Sequence, residues 1–221
     1  RIIIKSPEVH NIRRKGQGFT EQLVRKFAAQ PGGAFKFIEF QNGIKKREGT
    51  SRSKIPLILN GKITEYHPNG NLKSRSVYKN NELVSNENWT SDGDKYIDNV
   101  FYSVDQEPRY LPGTAYLHNH VLKTFRESKI DLSQLEGRIV VGFVVMEDGG
   151  IEGIRIEEGM GSTLNNLAIR SMETLIEQWQ PARLNGEYVR FYQLFPINFI
   201  YNKVDFDNLE LKGSMLYWEM N

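Results

Sequence analysis

The sequence predicts an α+β protein in two parts: an N-terminal antiparallel β-hairpin repeat region over residues 1–102, then a layer of helices on one sheet over residues 103–221. Three observations predict it. From about residue 34 to 102, short apolar runs of period two lie between Asn-Gly or Asp-Gly pairs, the strongest short hairpin signal. From residue 114 onward, helix-spaced apolar stripes alternate with strand-length runs. The charge also divides. Residues 1–100 carry 18 Lys and Arg against 10 Asp and Glu, a net of +8, whereas residues 101–221 carry 11 against 17, a net of −6. Two halves of opposite sign in a chain of 221 residues fit two domains.

Composition narrows the class. With 39% hydrophobic and 25% charged residues the chain is neither collagen-like nor wholly disordered. The absence of cysteine excludes a disulfide scaffold, Cys-ligated zinc, iron–sulfur clusters and a thiol nucleophile. No run approaches the roughly 20 apolar residues a membrane helix needs. The chain begins at Arg1 rather than Met, which leaves room upstream for a removed signal peptide or a membrane anchor.

Taken in order, Ile2, Ile3 and Ile4 read as a short β-branched strand, and Arg13, Arg14 and Lys15 as a basic cluster. Residues 20–29 read as a short helix capped by Thr20, with Leu23, Val24, Phe27 and Ala28 on one side and Pro31, Gly32 and Gly33 as its stop. Hairpin punctuation then recurs at Asn42-Gly43, Asn69-Gly70 and Asp92-Gly93, with Asn80-Asn81 turning the strand at 72–78. This spacing reads as a degenerate internal repeat. Residues 103–112, with Pro108 and Pro112, read as a linker.

Residues 114–129 place Leu117, Val121, Leu122 and Phe125 at helical spacing behind Thr114 as N-cap. Residues 138–146 are nearly all apolar, as expected of a strand buried on both faces, and Glu147-Asp148-Gly149-Gly150 turns it into a second strand at 151–157. Ser162 is expected to cap a helix whose stripe runs through Leu164, Leu167, Ala168, Met172, Leu175, Ile176 and Trp179 to a stop at Pro181. Asn185-Gly186 then turns into a third strand at 188–201. The order of helix, strand, strand, helix, strand predicts one sheet with both helices on one face. Pro196 within the third strand is compatible with an edge position, where a missing N–H is tolerated.

Chemistry has little support. His118 and His120 lie about 200° apart around a helix and cannot share a metal. Gly159-Met160-Gly161-Ser162 lacks the third glycine of a phosphate loop, and Glu157-Glu158 would repel phosphate. There is no Gly-x-Ser-x-Gly and no His-Glu-x-x-His. The expectation is therefore no catalysis, no cofactor and no metal. Alternation accounts for the aromatic and basic residues of 35–80 without nucleic acid as a partner, with aromatics inward and charges outward.

Two resemblances add to this reading. Residues 61–73, running Gly-Lys-Ile-Thr-Glu-Tyr-His-Pro-Asn-Gly-Asn-Leu-Lys, with Tyr78-Lys79-Asn80, resemble the MORN-like repeats of bacterial envelope proteins. From about 104 to 201 the chain resembles the TonB C-terminal domain. The carrying residues are 137–145 with the Glu147–Ile151 turn, Leu167-Ala168-Ile169-Arg170, the stretch from Trp179-Gln180-Pro181 through Asn185-Gly186 to Arg190, and 194–199. The family's Tyr-Pro pair after the first helix is replaced by Lys129-Ile130-Asp131-Leu132.

The TonB resemblance implies a periplasmic energy-transducing or protein-interaction module. It would contact an outer-membrane TonB-dependent transporter by adding a peptide segment of that transporter to its edge strand. The implied binding residues are Val189, Phe191, Gln193, Phe195, Ile197 and Phe199. It further implies an inner-membrane proton-channel complex as a partner, reached through an anchoring segment upstream of this chain, and it admits a homodimer by edge-strand exchange. The alternatives are a non-transducing envelope binding or scaffold protein, or the sensor domain of a membrane peptidase.

Overall fold

Positive φ at both centre residues is what a two-residue type I′ hairpin demands, and Asn and Gly supply it. Asn42-Gly43 has φ of 50° and 84°, and Asn80-Asn81 has 53° and 71°. The computed structural model describes residues 8–15, 20–175, 179–200 and 203–205. The chain divides into two units, Arg1–Asn99 and Val100–Asn221. In the first, β1 (Glu8–Lys15), β2 (Thr20–Ala29), β3 (Phe35–Gln41), β4 (Ile44–Ser51), β5 (Leu59–Tyr66), β6 (Leu72–Lys79) and β7 (Glu82–Asn88) form one antiparallel sheet in chain order. The Gly61–Asn80 stretch folds as the β5–β6 hairpin, which is compatible with the repeat resemblance. The strand expected at Ile2–Ile4 lies outside the described residues.

The helix expected over 20–29 is instead strand β2, bonded between β1 and β3. Its apolar spacing suits a helix, but a ten-residue helix is marginal without tertiary support. Pairing on both sides supplies that support for a strand. Phe27 stands opposite Phe37 in the register and is buried against it, with ring centroids 6.4 Å apart.

One face of this sheet carries two rows that run across the strands. The apolar row is Phe27, Phe37, Gly49 and Ile63, successive cross-strand partners. Gly49 is required there, because a Cβ would lie 2.5 Å from Ile63 Cδ1 and 2.6 Å from the Lys62 carbonyl. The neighbouring row is Arg25, Glu39, Arg47 and Glu65, which alternates in sign. Glu39 is 1% exposed. It accepts from Arg25 and pairs with Arg47 Nε at 2.8 Å, and Arg47 in turn lies 3.9 Å from Glu65. Burial pushes the Glu39 carboxyl up, but Arg47 and Arg25 beside it outweigh that and hold it below the ordinary carboxylate value.

The second unit buries a larger apolar core. Helices α1 (Thr114–Glu127) and α2 (Ser162–Glu173) cover one face of a sheet ordered β11 (Ile151–Glu158), β10 (Gly137–Val145), β14 (Glu187–Ile200), β13 (Ala182–Leu184). Leu117, Val121 and Phe125 of α1 and Leu164, Ala168 and Met172 of α2 pack on Ile139, Val141, Phe143 and Val145 of β10. Both helix caps lie one residue before the Thr114 and Ser162 that the sequence predicts. The N-caps are Gly113 and Gly161, at φ 95° and 104°, with no side-chain cap bond. Thr114 and Ser162 are the first helical residues.

Two further expectations change. Helix α2 ends at Glu173, and Trp179 lies in strand β12 (Trp179–Gln180), paired with β9 (Arg109–Tyr110). The Trp179 N–H donates to the Gly149 carbonyl at 2.9 Å, and its ring packs on Tyr110 and Phe143. The 103–112 stretch is not a free linker. It leads from β8 (Val100–Phe101) to β9, and Gln106 bridges to Arg183 on the way.

Candidate functional site

Strand β14 begins at the Asn185-Gly186 turn, again with positive φ at both positions (52° and 86°). It then pairs with β10 in unbroken antiparallel register from Phe191 opposite Val145 to Phe199 opposite Gly137. Alternation sends Phe195, Ile197 and Phe199 into the core beneath the helices. Phe195 lies 6.0 Å from the His118 ring, and Phe199 packs edge-on against Phe125 at 5.5 Å. Gln193 is also buried, and its amide donates to the Leu194 carbonyl at 3.1 Å.

On the opposite face, Tyr192 crosses β10 to reach β11. Its hydroxyl donates to Glu157 at 2.5 Å, Arg155 Nε lies 3.2 Å from that hydroxyl, and the Arg155 guanidinium stands 5.1 Å from the ring centroid. The crossing is possible because position 142 is glycine: a Cβ there would lie 1.9 Å from the Tyr192 hydroxyl oxygen. The glycine that interrupts the apolar run of β10 is thus the seat of an aromatic ring that ties three strands together. Arg190 adds a second tie, with Nε 3.0 Å from both carboxylate oxygens of Glu147 in the β10–β11 turn.

The outer side of β14 is where the expectation of an edge strand needs correction. At its start β13 pairs with 187–189, and β8 runs parallel beside Arg190 and Phe191. The segment after β8 is pinned down: Asp105 accepts from the Asn185 N–H at 2.6 Å, and Gln106 exchanges backbone bonds with Arg183. At the end of β14, β15 (Lys203–Asp205) pairs with 198–200. The described strands on this side therefore stop at Phe191 and resume at Asn198. Both ends of the edge are used by the chain itself.

The six residues expected to bind a partner fall differently along this strand. Val189 is paired to Ala182 of β13, Phe191 to Phe101 of β8 and Phe199 to Val204 of β15. Gln193, Phe195 and Ile197 fall between the flanking strands. Because their side chains are buried, what they can offer a partner is main chain. A stretch of six residues measures about 20 Å at roughly 3.3 Å per residue. Pro196 within it contributes a carbonyl but no N–H.

The histidines serve separate contacts. His120 Nε2 lies 3.0 Å from the Ser171 carbonyl and 3.0 Å from Thr174 Oγ1, joining α1 to the end of α2. The glycine-containing loop before α2 is a tight turn in which Asn165 accepts from the Met160 N–H at 3.0 Å. A Cβ at Gly159 would lie 2.4 Å from the Asn165 amide nitrogen, so that side chain would have to shift to admit one. Among the described residues no helix is long and apolar enough to cross a membrane.

Residues 130–201 match the family model of the Gram-negative bacterial TonB protein C-terminal. The matched stretch contains β10, β11, α2 and β14, and it supports a TonB-like protein-interaction module. No curated protein and no solved structure matches the chain.

Proposed function

We propose that the second unit is a periplasmic TonB-like module that takes an extended segment of an outer-membrane transporter as an added strand beside β14. The observation that carries this reading is the layout of that strand. It is bonded along its inner side to β10 and flanked on its outer side by described strands only at its two ends. A short extended peptide between those ends would gain affinity from main-chain bonds and tolerate varied side chains. The family match to residues 130–201 supports the partner class. In the transducing form of this function, a region upstream couples the module to an inner-membrane proton-channel complex, which supplies the pull.

A titration of the 221-residue chain with a synthetic TonB-box peptide tests it. The expected result is saturable shifts of the Gln193, Leu194 and Ile197 amide resonances. A peptide N-methylated on its pairing side should lose the effect. Unchanged spectra at millimolar peptide overturn the reading.

A further inference from the structure

The exposed face of the first unit's sheet carries a feature that strand addition does not use. Over β5, β6 and β7 the face forms an open groove of about 750 Å³. Its floor is two cross-strand rows, Lys62–Val77–Ser85 and Thr64–Arg75–Glu87. Asp98 and Asn99 form its wall beyond β7. The volume falls within the range of small-molecule sites. We infer that this groove binds a neutral oligosaccharide.

Charge balance selects the ligand class. Two cations, Lys62 and Arg75, share the groove with the Glu87 carboxylate and with Asp98, which Lys95 pairs from outside the lining, so a polyanion would meet the Glu87 charge as well as the cations. A ligand rich in hydroxyls both donates and accepts, and this mixed set answers both needs. Peptide chains typically add at sheet edges, where main-chain groups are open, whereas this groove lies on a face whose strands are already paired on both sides at β5 and β6.

The polar groups divide into held and available. Arg75 stands 5.4 Å from the Trp89 ring centroid, which sets its guanidinium at the end of its row. Asp98 accepts from the Asn88 N–H at 3.1 Å and pairs with Lys95 at 3.1 Å, and the Asn99 N–H donates to the Asn86 carbonyl at 3.0 Å. The wall is therefore fixed before any ligand arrives, which lowers the ordering cost of binding. Among the described residues, the side chains of Lys62, Thr64, Ser85 and Glu87 make no hydrogen bond or ion pair, so their capacity is available. Val77 supplies an apolar patch between them for the C–H face of a sugar ring.

The test uses the full chain and three neutral probes: maltotriose, cellotriose and chitotriose, each at up to about 10 mM, a range suited to weak sites. At least one should shift the Thr64, Val77 and Ser85 amide resonances and saturate. Its affinity should change less than about twofold with added salt, since no net charge is neutralised. The double variant Ser85→Ala/Glu87→Gln, altered only at the groove, should weaken that binding about tenfold, in line with one hydrogen bond lost and one charged acceptor made neutral. Failure of all three sugars overturns the inference. So does binding of trigalacturonate or of a neutral Gly-Ser peptide in the groove without binding of any neutral sugar.

Discussion

The two units solve the same problem with different materials. The second buries an apolar core between two helices and a sheet, with Phe143, Phe195 and Val141 fully enclosed. The first is a single sheet whose buried face alternates an apolar row with a row of charges. Apolar contacts are non-directional and scale with buried area, so the second unit tolerates small displacements that keep its core filled. A buried ladder of alternating charge is directional, and it is costly when one rung is lost. The comparison teaches that the first unit's stability should be sensitive to charge and pH, and the second's to volume.

Several substitutions would break or sharpen that contrast. The largest effect is expected from Phe143→Ala, at about 3–5 kcal/mol, because the ring is fully buried among core residues that cannot all close the cavity. Denaturant melts read through amides of the second unit should report the loss. Glu39→Gln should cost about 3 kcal/mol in the first unit, since it leaves Arg25 and Arg47 facing each other without their carboxylate. Glu39→Leu should cost no more than the Gln variant only if packing, rather than charge, governs the row.

Gly142→Ala comes next, at about 1–3 kcal/mol, because the added methyl displaces the Tyr192 hydroxyl from Glu157. Near-ultraviolet dichroism should change with it. Acid should distinguish the units more gently. The Glu39 carboxyl is held below its ordinary value of 4.5. Its stabilising contribution is thus present above that value and lost as the pH falls through the lowered one, a dependence that Glu39→Gln should remove. The smallest effect is expected from Lys123→Ala, about 0.5 kcal/mol or less, because its pairing with Glu127 at 3.8 Å is exposed to solvent.

How much of this was legible in the sequence depended on whether the signal was local. Asn42-Gly43, Asn80-Asn81 and Asn185-Gly186 announced their turns because the residues themselves carry the required φ. Helix α1 and strand β10 followed from patterns within one element. Strand β2 did not, since the residue that breaks its apolar alternation is Arg25, whose partner Glu39 lies 14 residues away on the next strand. The glycine caps of both helices were hidden behind a Thr and a Ser that imitate caps. Strands β8 and β9 are two residues each and have no pattern to read, yet β8 covers part of the β14 edge. The groove of the first unit assembles side chains from three strands and the wall beyond them, so no contiguous motif could have pointed to it.

The central claim is that a partner adds as a strand beside β14. Hydrogen exchange at single-residue resolution tests it most directly, with and without a TonB-box peptide. In an antiparallel strand successive amides point to opposite sides, so those facing β10 are protected already and those facing outward are not. The account predicts that the peptide adds protection between Phe191 and Asn198 with a period of two, and leaves α1 and α2 unchanged. Protection that rises uniformly along β14, or that appears on the helices instead, would contradict it.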